Sequence, residues 1–224
     1  MADKKITINS VTPTNVITLI GECIGPCYGS DISNSEKNYK RGLNSVNAGH
    51  GRVLEYAEAW FTIEGYSARV IRELYTHIGG MPTRTQASTR YIEYGNFDYI
   101  IPPKIDKDPF LRDRYINVMY QISEGIKDLE AWGVPKEDAA NLLPLGMTTT
   151  VSVRMNARTI IDMAAQRMCN RAYWEYRDLM RDLIDALSNY SPEWKELMKF
   201  AQCKCDKAGY CCEEYSCGKY PKKQ

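Results

Sequence analysis

The chain has 224 residues, 44% apolar and 25% charged, a composition ordinary for a globular domain with a substantial core. A formal net charge of +1 excludes a global field that would draw in nucleic acid or a membrane surface. No apolar run is long enough to span a bilayer, and the first residues form no signal-peptide core, so the expectation is a cytoplasmic protein with neither membrane nor nucleic-acid partners.

In chain order, residues 5–9 and 15–20 are β-branched runs and predict strands. Cys23 to Gly29 is punctuated by glycine and proline and predicts a loop. The polar stretch 34–48 predicts a helix, and Ala57 to Ile63 a strand. Ala68, Ile71, Leu74 and Tyr75 are spaced as on a helix, predicted over 67–75 and stopped by Gly79 and Gly80. Residues 88–94 and 100–103 predict two short strands. Asp108-Pro109 is a helix start, with Asp as N-cap and Pro in the first turn. The stripe Leu111, Tyr115, Val118, Met119, Ile122, Ile126 and Leu129 carries that helix to Gly133. A shorter helix is predicted from Pro135 to before Pro144, then a strand over 147–153. From Asn156 to Leu187 the pattern predicts one long helix, and Ser191-Pro192 begins a last short one. The sum is an α+β fold: an antiparallel sheet with several helices, including a long one in the C-terminal half. Residues 1–202 read as a single domain, and 203–224 as a cysteine-rich tail without periodicity.

Three groups of residues could carry chemistry. The first is 77–91, where a His-Ile-Gly-Gly turn precedes Arg84, Gln86, Ser88, Arg90 and Tyr91. A glycine turn frees backbone N–H groups for an anion, and a guanidinium can fork onto a phosphate. The same residues also suit a helix end leading into a strand with Arg90 solvated. The second group is the predicted long helix. There Asn156 and Arg167 are eleven residues apart and would share a face, while Arg158 and Asp162 could pair on another. Arg167 lies among Met163, Ala164, Met168 and Cys169, where a guanidinium needs an anionic or polar partner. The third is the thiol set Cys203, Cys205, Cys211, Cys212 and Cys217, which could close on a metal or form a mobile, redox-sensitive tail. Cys169 reads as an inert packed thiol, and only His50 and His77 are available as histidines, so a thiolate nucleophile with a histidine base is not supported. No GxGxxG occurs, which argues against a Rossmann nucleotide site.

The segment His77, Ser88, Arg90, Tyr91 resembles the signature of the flavin-dependent thymidylate synthases, usually Arg-His-Arg and Ser followed by Asn-Glu-x-Ser-x-Arg-Tyr. His50 and Glu55 match a His-x4-Glu of that family. Leu143-Pro144, the β-prone run, Asn156-Ala157-Arg158, Arg167 and Ala172-Tyr173-Trp174-Glu175 match its second half in order and spacing. The resemblance covers the chain from residue 50 to about 200 and implies an α+β homotetramer with active sites built from several subunits. It implies FAD as cofactor, NADPH and methylenetetrahydrofolate as cosubstrates, and dUMP as the substrate converted to dTMP. By position, Arg167 would stabilise the activated uracil, with Glu73, Gln86, Ser88 and Arg90 holding dUMP. His50, Glu55, His77, Ser88, Tyr91, Asn156, Arg158 and Asp162 would lie along FAD or the folate. Several positions depart from the family. Thr76 and Ile78 replace the two arginines around the histidine, Thr85-Gln86 replaces Asn-Glu, and Ala140 replaces a phosphate-binding arginine. Arg84, Arg154 or Arg171 could supply the missing charge. A dUMP hydroxymethylase and a non-catalytic nucleotide- or metal-binding protein are the alternatives.

Overall fold

The computed structural model describes residues 3–77, 79 and 82–223. Four strands, β1 (Lys5–Thr12), β2 (Glu58–Ser67), β3 (Thr83–Gln86) and β4 (Thr148–Asn156), make one sheet in the order β1-β2-β4-β3. Backbone bonds from Ala157 N to Ala57 O and from Ala68 N to Met147 O set β2 and β4 antiparallel. On β2 and β4 buried and less buried residues alternate, as a sheet with one covered face requires. The helices are α1 (Val16–Ile24), α2 (Ser35–Asn47), α3 (Ala68–Leu74), α4 (Pro103–Asp106), α5 (Pro109–Ala131), α6 (Lys136–Ala139), α7 (Ala157–Arg167), α8 (Trp174–Ser188), α9 (Pro192–Met198) and α10 (Lys204–Ala208). Among the described residues no helix is long and apolar enough to cross a membrane.

By contacts the chain divides into two units, each drawn from several segments. The first holds Met1–Lys5, Ile63–Tyr75 and Thr85–Val151. Its long helix α5 begins as expected: Asp108 accepts from Phe110 N at 3.0 Å and Leu111 N at 3.2 Å. The helix ends at Trp132, with Gly133 at φ +83.

The second unit holds Ile6–Thr62, Thr76–Arg84 and Ser152–Gln224. Its core includes Val16, Ile17 and Ile20 of α1, Tyr176, Leu179, Met180, Leu183 and Leu187 of α8, and Trp194 of α9, all at most 1% exposed. Helices α1 and α2 touch backbone to backbone. A Cβ on Gly21 would sit 1.8 Å from Asn38 O, and one on Gly42 2.0 Å from Ile17 O, so only glycine fits either place. At the start of α1, Glu193 accepts from Thr18 N at 2.8 Å and Thr18 Oγ1 at 2.7 Å. A carboxylate there satisfies a first-turn amide and suits the positive end of the helix.

Most predicted elements form, and five differ. Residues 15–20, expected as a strand, belong to α1, because Val16, Ile17, Ile20, Gly21 and Ile24 bury a helical face against α2 and this packing outweighs β propensity. The expected loop from Cys23 is therefore the end of α1 followed by a 3₁₀ turn over Gly25–Tyr28. The strand expected at 88–94 is a turn, with Ile92 N bonding Ser88 O at 3.2 Å and Ser88 Oγ accepting from Arg90 N at 3.2 Å; the extended stretch is β3 instead. In place of the strand expected at 100–103, Tyr99 makes an isolated bridge to Met147, Ile100 N bonds Gly146 O at 2.9 Å, and Pro103, lacking an N–H, opens α4. The long helix expected over 156–187 is two helices, broken at 168–173, where Ala172 N bonds Cys169 O at 2.9 Å and Arg177 Nη1 bonds Asn170 O at 2.6 Å. Helix α3 stops at Leu74, ahead of the glycines; Ile78 and Gly80 of the expected His-Ile-Gly-Gly turn lie outside the described residues.

Candidate active site

In the second unit, the turn from β4 into α7 is built on Asn156. Its side-chain oxygen accepts from Thr159 N at 2.9 Å and caps α7, and the residue is buried. Asn156 is thus a cap rather than a residue on the helix face, so it does not share a helical face with Arg167. Thr159 lies with its hydroxyl against Asn156 Oδ1 and the Gly79 carbonyl, which ties Gly79 to the helix start.

In the same first turn of α7, Arg158 Nη1 donates to Glu55 at 2.6 Å, while Asp162 stands at 4.0 Å from its Nε. The predicted Arg158–Asp162 pair is therefore the looser of the two, because Glu55 offers the closer carboxylate. Glu55, Gly79, Arg158, Thr159 and Asp162 line an open cavity of about 300 Å³. Glu55 and Arg158, 103 residues apart and expected with Asp162 at one cofactor, are thus gathered with it at one cavity. His50 lines another cavity, of about 400 Å³, with Tyr28, Arg41, Asn44 and Ser45. There Arg41 is anchored by Gly21 O at 2.8 Å and Asn38 Oδ1 at 2.9 Å.

Arg167 ends α7. Its Nε donates to His77 Nε2 at 3.2 Å, and its guanidinium lies over the Tyr176 ring at 4.9 Å from the centroid. His77 meets the same ring edge-on at 6.0 Å. Burial, followed by the charges of Arg167 and Arg84, holds the His77 imidazole below its ordinary pKa. His77 is therefore neutral near pH 7, with its proton on Nδ1 and Nε2 free to accept. Both of these partners orient the guanidinium without cancelling its charge. Tyr176 is the site residue that sequence reasoning missed: on one continuous helix it would not come back to Arg167, and only the break at 168–173 lets α8 return it.

In the first unit, Gln86 is pinned on both sides. Its Oε1 accepts from Tyr75 OH at 2.9 Å, and its Nε2 donates to Thr149 Oγ1 at 3.2 Å. Arg90 Nε donates to Glu137 at 2.8 Å, and its guanidinium is 5.7 Å from the Tyr91 ring centroid. These side chains are open to solvent, Arg90 at 65% and Glu137 at 53%, and Tyr91 is exposed. Glu73 is half-buried on α3. Of the arginines considered for the missing charge, Arg154 pairs with Glu58 and Arg171 Nη1 donates to Tyr215 O at 2.6 Å, whereas Arg84 acts on His77.

The chain matches the sequence model of the thymidylate synthase complementing protein family over residues 12–193. It is 32% identical over 203 residues to the flavin-dependent thymidylate synthase of Clostridium tetani, covering 83% of this chain and 79% of that protein. It is 29% identical over 189 residues to the enzyme of the same name from Nitratidesulfovibrio vulgaris, covering 80% and 75%. The crystal structure of thymidylate synthase X from Helicobacter pylori with FAD and dUMP is similar in fold, with TM-score 0.64 and 20% identity over 88% of this chain and 100% of that one.

Proposed function

The chain belongs to the thymidylate synthase complementing protein family, and on that premise we propose that it is a flavin-dependent thymidylate synthase, making dTMP from dUMP with methylenetetrahydrofolate and NADPH. The observation that carries the reading is Arg167, a cation oriented by neutral His77 and by Tyr176. A fixed guanidinium beside the uracil stabilises the N3-deprotonated ring as charge develops, with no reorganisation at the moment of reaction. This role needs no enzyme thiolate, which agrees with the absence of a cysteine–histidine pair in the sequence.

The residues present fit a flavin dinucleotide. The cavity beside Arg158 is of ligand-pocket size and offers a guanidinium for a pyrophosphate, the Thr159 hydroxyl, and the acceptors Glu55 and Asp162. FAD, when bound, supplies hydride transfer. We assign His50, Glu55, His77, Ser88, Tyr91, Asn156, Arg158 and Asp162 to FAD or folate binding, Asn156 acting through the cap that holds Thr159. Glu73, Gln86, Ser88 and Arg90 are assigned to dUMP. Arg90 would exchange the Glu137 carboxylate for a phosphate, both being acceptors for the same fork. Residues 1–202 form the catalytic domain and 203–224 its extension, in a cytoplasmic homotetramer with composite sites.

The test is incubation with dUMP, methylenetetrahydrofolate, NADPH and FAD, followed by mass spectrometry of the nucleotide. A methyl product supports the reading. A hydroxymethyl product instead identifies a dUMP hydroxymethylase on the same scaffold, the outcome that Thr85-Gln86 in place of Asn-Glu leaves room for. No flavin uptake and no nucleotide product would leave only a binding protein.

A further inference from the structure

Cys203, Cys205 and Cys211 are buried together with Cys169 packed against them, but among the described residues no three His, Cys, Asp or Glu side chains stand so as to hold a metal, so the thiol set does not close on one. The cavity that holds His50 is different, because a guanidinium is built into it. Arg41 gives its bonds to neutral oxygens: Nη1 donates to Gly21 O at 2.8 Å and Asn38 Oδ1 at 2.9 Å, and Nη2 to Asp31 O at 3.2 Å. Asn38 is fully buried, and its Nδ2 donates to Ile32 O at 2.7 Å and to Glu22 at 3.5 Å, which leaves Oδ1 for the guanidinium. Gly25 makes room, since a Cβ there would stand 2.9 Å from Arg41 Nη1. The Asp31 carboxylate is exposed and accepts from Ser33 N and Oγ, both at 2.8 Å. An arginine has five N–H donors, so the Nε hydrogen and one Nη2 hydrogen are left over, the pair that a carboxylate takes side-on.

Arg41, Asn44, Ser45 and Ala48 recur at helical spacing on one face of α2, with Ala48 as its C-cap, so the wall they give the cavity runs for about 10 Å at ~1.5 Å per residue. His50 lies past the helix end. Its neighbour Gly51 abuts Arg158, where a Cβ would stand 3.6 Å from the Arg158 Nε. The His50 end therefore adjoins the cavity offered to the flavin, and the Arg41 end lies a helix face away from it. At about 400 Å³ the space is of ligand-pocket size. Among the described residues its lining has one guanidinium and no lysine, which balances a single carboxylate and undercompensates a phosphate monoester that carries close to two charges. Tyr28, 68% exposed, adds an uncovered ring, and Ser30 and Ser45 add hydroxyls. The arrangement suits an elongated ligand with a ring near His50 and a carboxylate about 10 Å further on.

We propose that this cavity receives the reduced-folate cosubstrate, with Arg41 gripping a carboxylate of its glutamate tail while the ring-bearing end lies at His50. The assignment rests on the proposed function, which supplies the folate, and adds Arg41 as the residue that selects a charged tail. Binding exchanges water on the Nε–Nη2 edge for the carboxylate and leaves the bonds to Gly21, Asn38 and Asp31 in place, so the ligand displaces no ion pair.

The test is equilibrium binding of two probes to the flavin-loaded full chain: folinic acid, a stable reduced folate, and its α,γ-diamide, which has the same length without the tail charges. Folinic acid should bind about tenfold or more tighter than the diamide, as a charge-assisted pair provides. Arg41→Gln should remove that difference by weakening folinic acid alone. Equal weakening of both probes would make Arg41 purely structural and overturn the proposal. If Arg41→Gln fails to fold, the ratio of the two probes on the unaltered chain decides, and a ratio near one overturns the proposal. NADPH and NADH form a second arm: a loss in Arg41→Gln confined to NADPH would give the guanidinium to a phosphate and overturn the carboxylate assignment. Equal binding of folinic acid and the diamide refutes this proposal alone, whereas binding of neither removes the proposed function with it.

Discussion

Arg167 and Arg90 both stand out in the sequence, but the structure sets them in different surroundings. Arg167 is partly buried, and two of its partners, His77 and Tyr176, are neutral, so they aim its charge without neutralising it. Arg90 is exposed, and its partner is an exposed carboxylate. Under the proposed function, the first would be preorganised for charge that appears during the reaction, and the second would be an exchangeable phosphate grip whose present partner contributes little. A motif therefore identifies which residues matter, while the environment decides what each can do.

The sharpest way to break this comparison is Arg167→Ala. Turnover should fall by roughly 10²–10³-fold or more, as when a preorganised stabilising donor is removed, while flavin binding and the melting temperature change little. If turnover survived, the contrast with Arg90 would collapse. Next is Asn156→Ala, which removes the α7 cap and strands the Thr159 amide. Thermal unfolding should report a loss of about 1 kcal/mol.

His77 gives a pH signature. Its folded pKa lies below the unfolded value of about 6.5, so near and below that pH the unfolded state binds more protons. The contribution to stability is complete above about pH 6.5 and is lost as pH falls through the lower folded value. Melting temperature against pH should therefore drop on the acid side in the unaltered chain and be flatter in His77→Gln. Equal slopes would remove the neutral imidazole from the account of Arg167. The smallest effect on stability is expected for Glu137→Ala, within about 0.5 kcal/mol as for exposed ion pairs. By freeing Arg90, the same change should lower KM for dUMP; an increase would make Glu137 a helper and not a competitor.

Several elements were legible because local signals and packing agree. Asp108-Pro109 starts α5, and Ser191-Pro192 precedes α9, through cap chemistry that is encoded within a few residues. Val16, Ile17, Ile20, Gly21 and Ile24 carried a helical period, but their β-branched side chains pointed the other way. Two glycines that let α1 and α2 touch decided the outcome. The break at 168–173 has neither proline nor glycine, so the 156–187 pattern read as continuous. Tyr176 could not be assigned without that break. The thiol set was legible as a group but not as a membership: Cys212 stands outside it and Cys169, distant in sequence, belongs with it.

By itself, the sequence determined the residue types for the chemistry, the helix caps, most strand and helix positions, and the resemblance that places the chain in its family. These follow from short-range periodicity, capping and spacing, which require no knowledge of partners. Only the tertiary structure decided that Glu55 holds Arg158, that a neutral His77 and Tyr176 aim Arg167, and that Cys169 packs against the buried Cys203, Cys205 and Cys211. Each of these depends on contacts between residues far apart in the chain, and on burial, which sets both protonation and the orientation of charge.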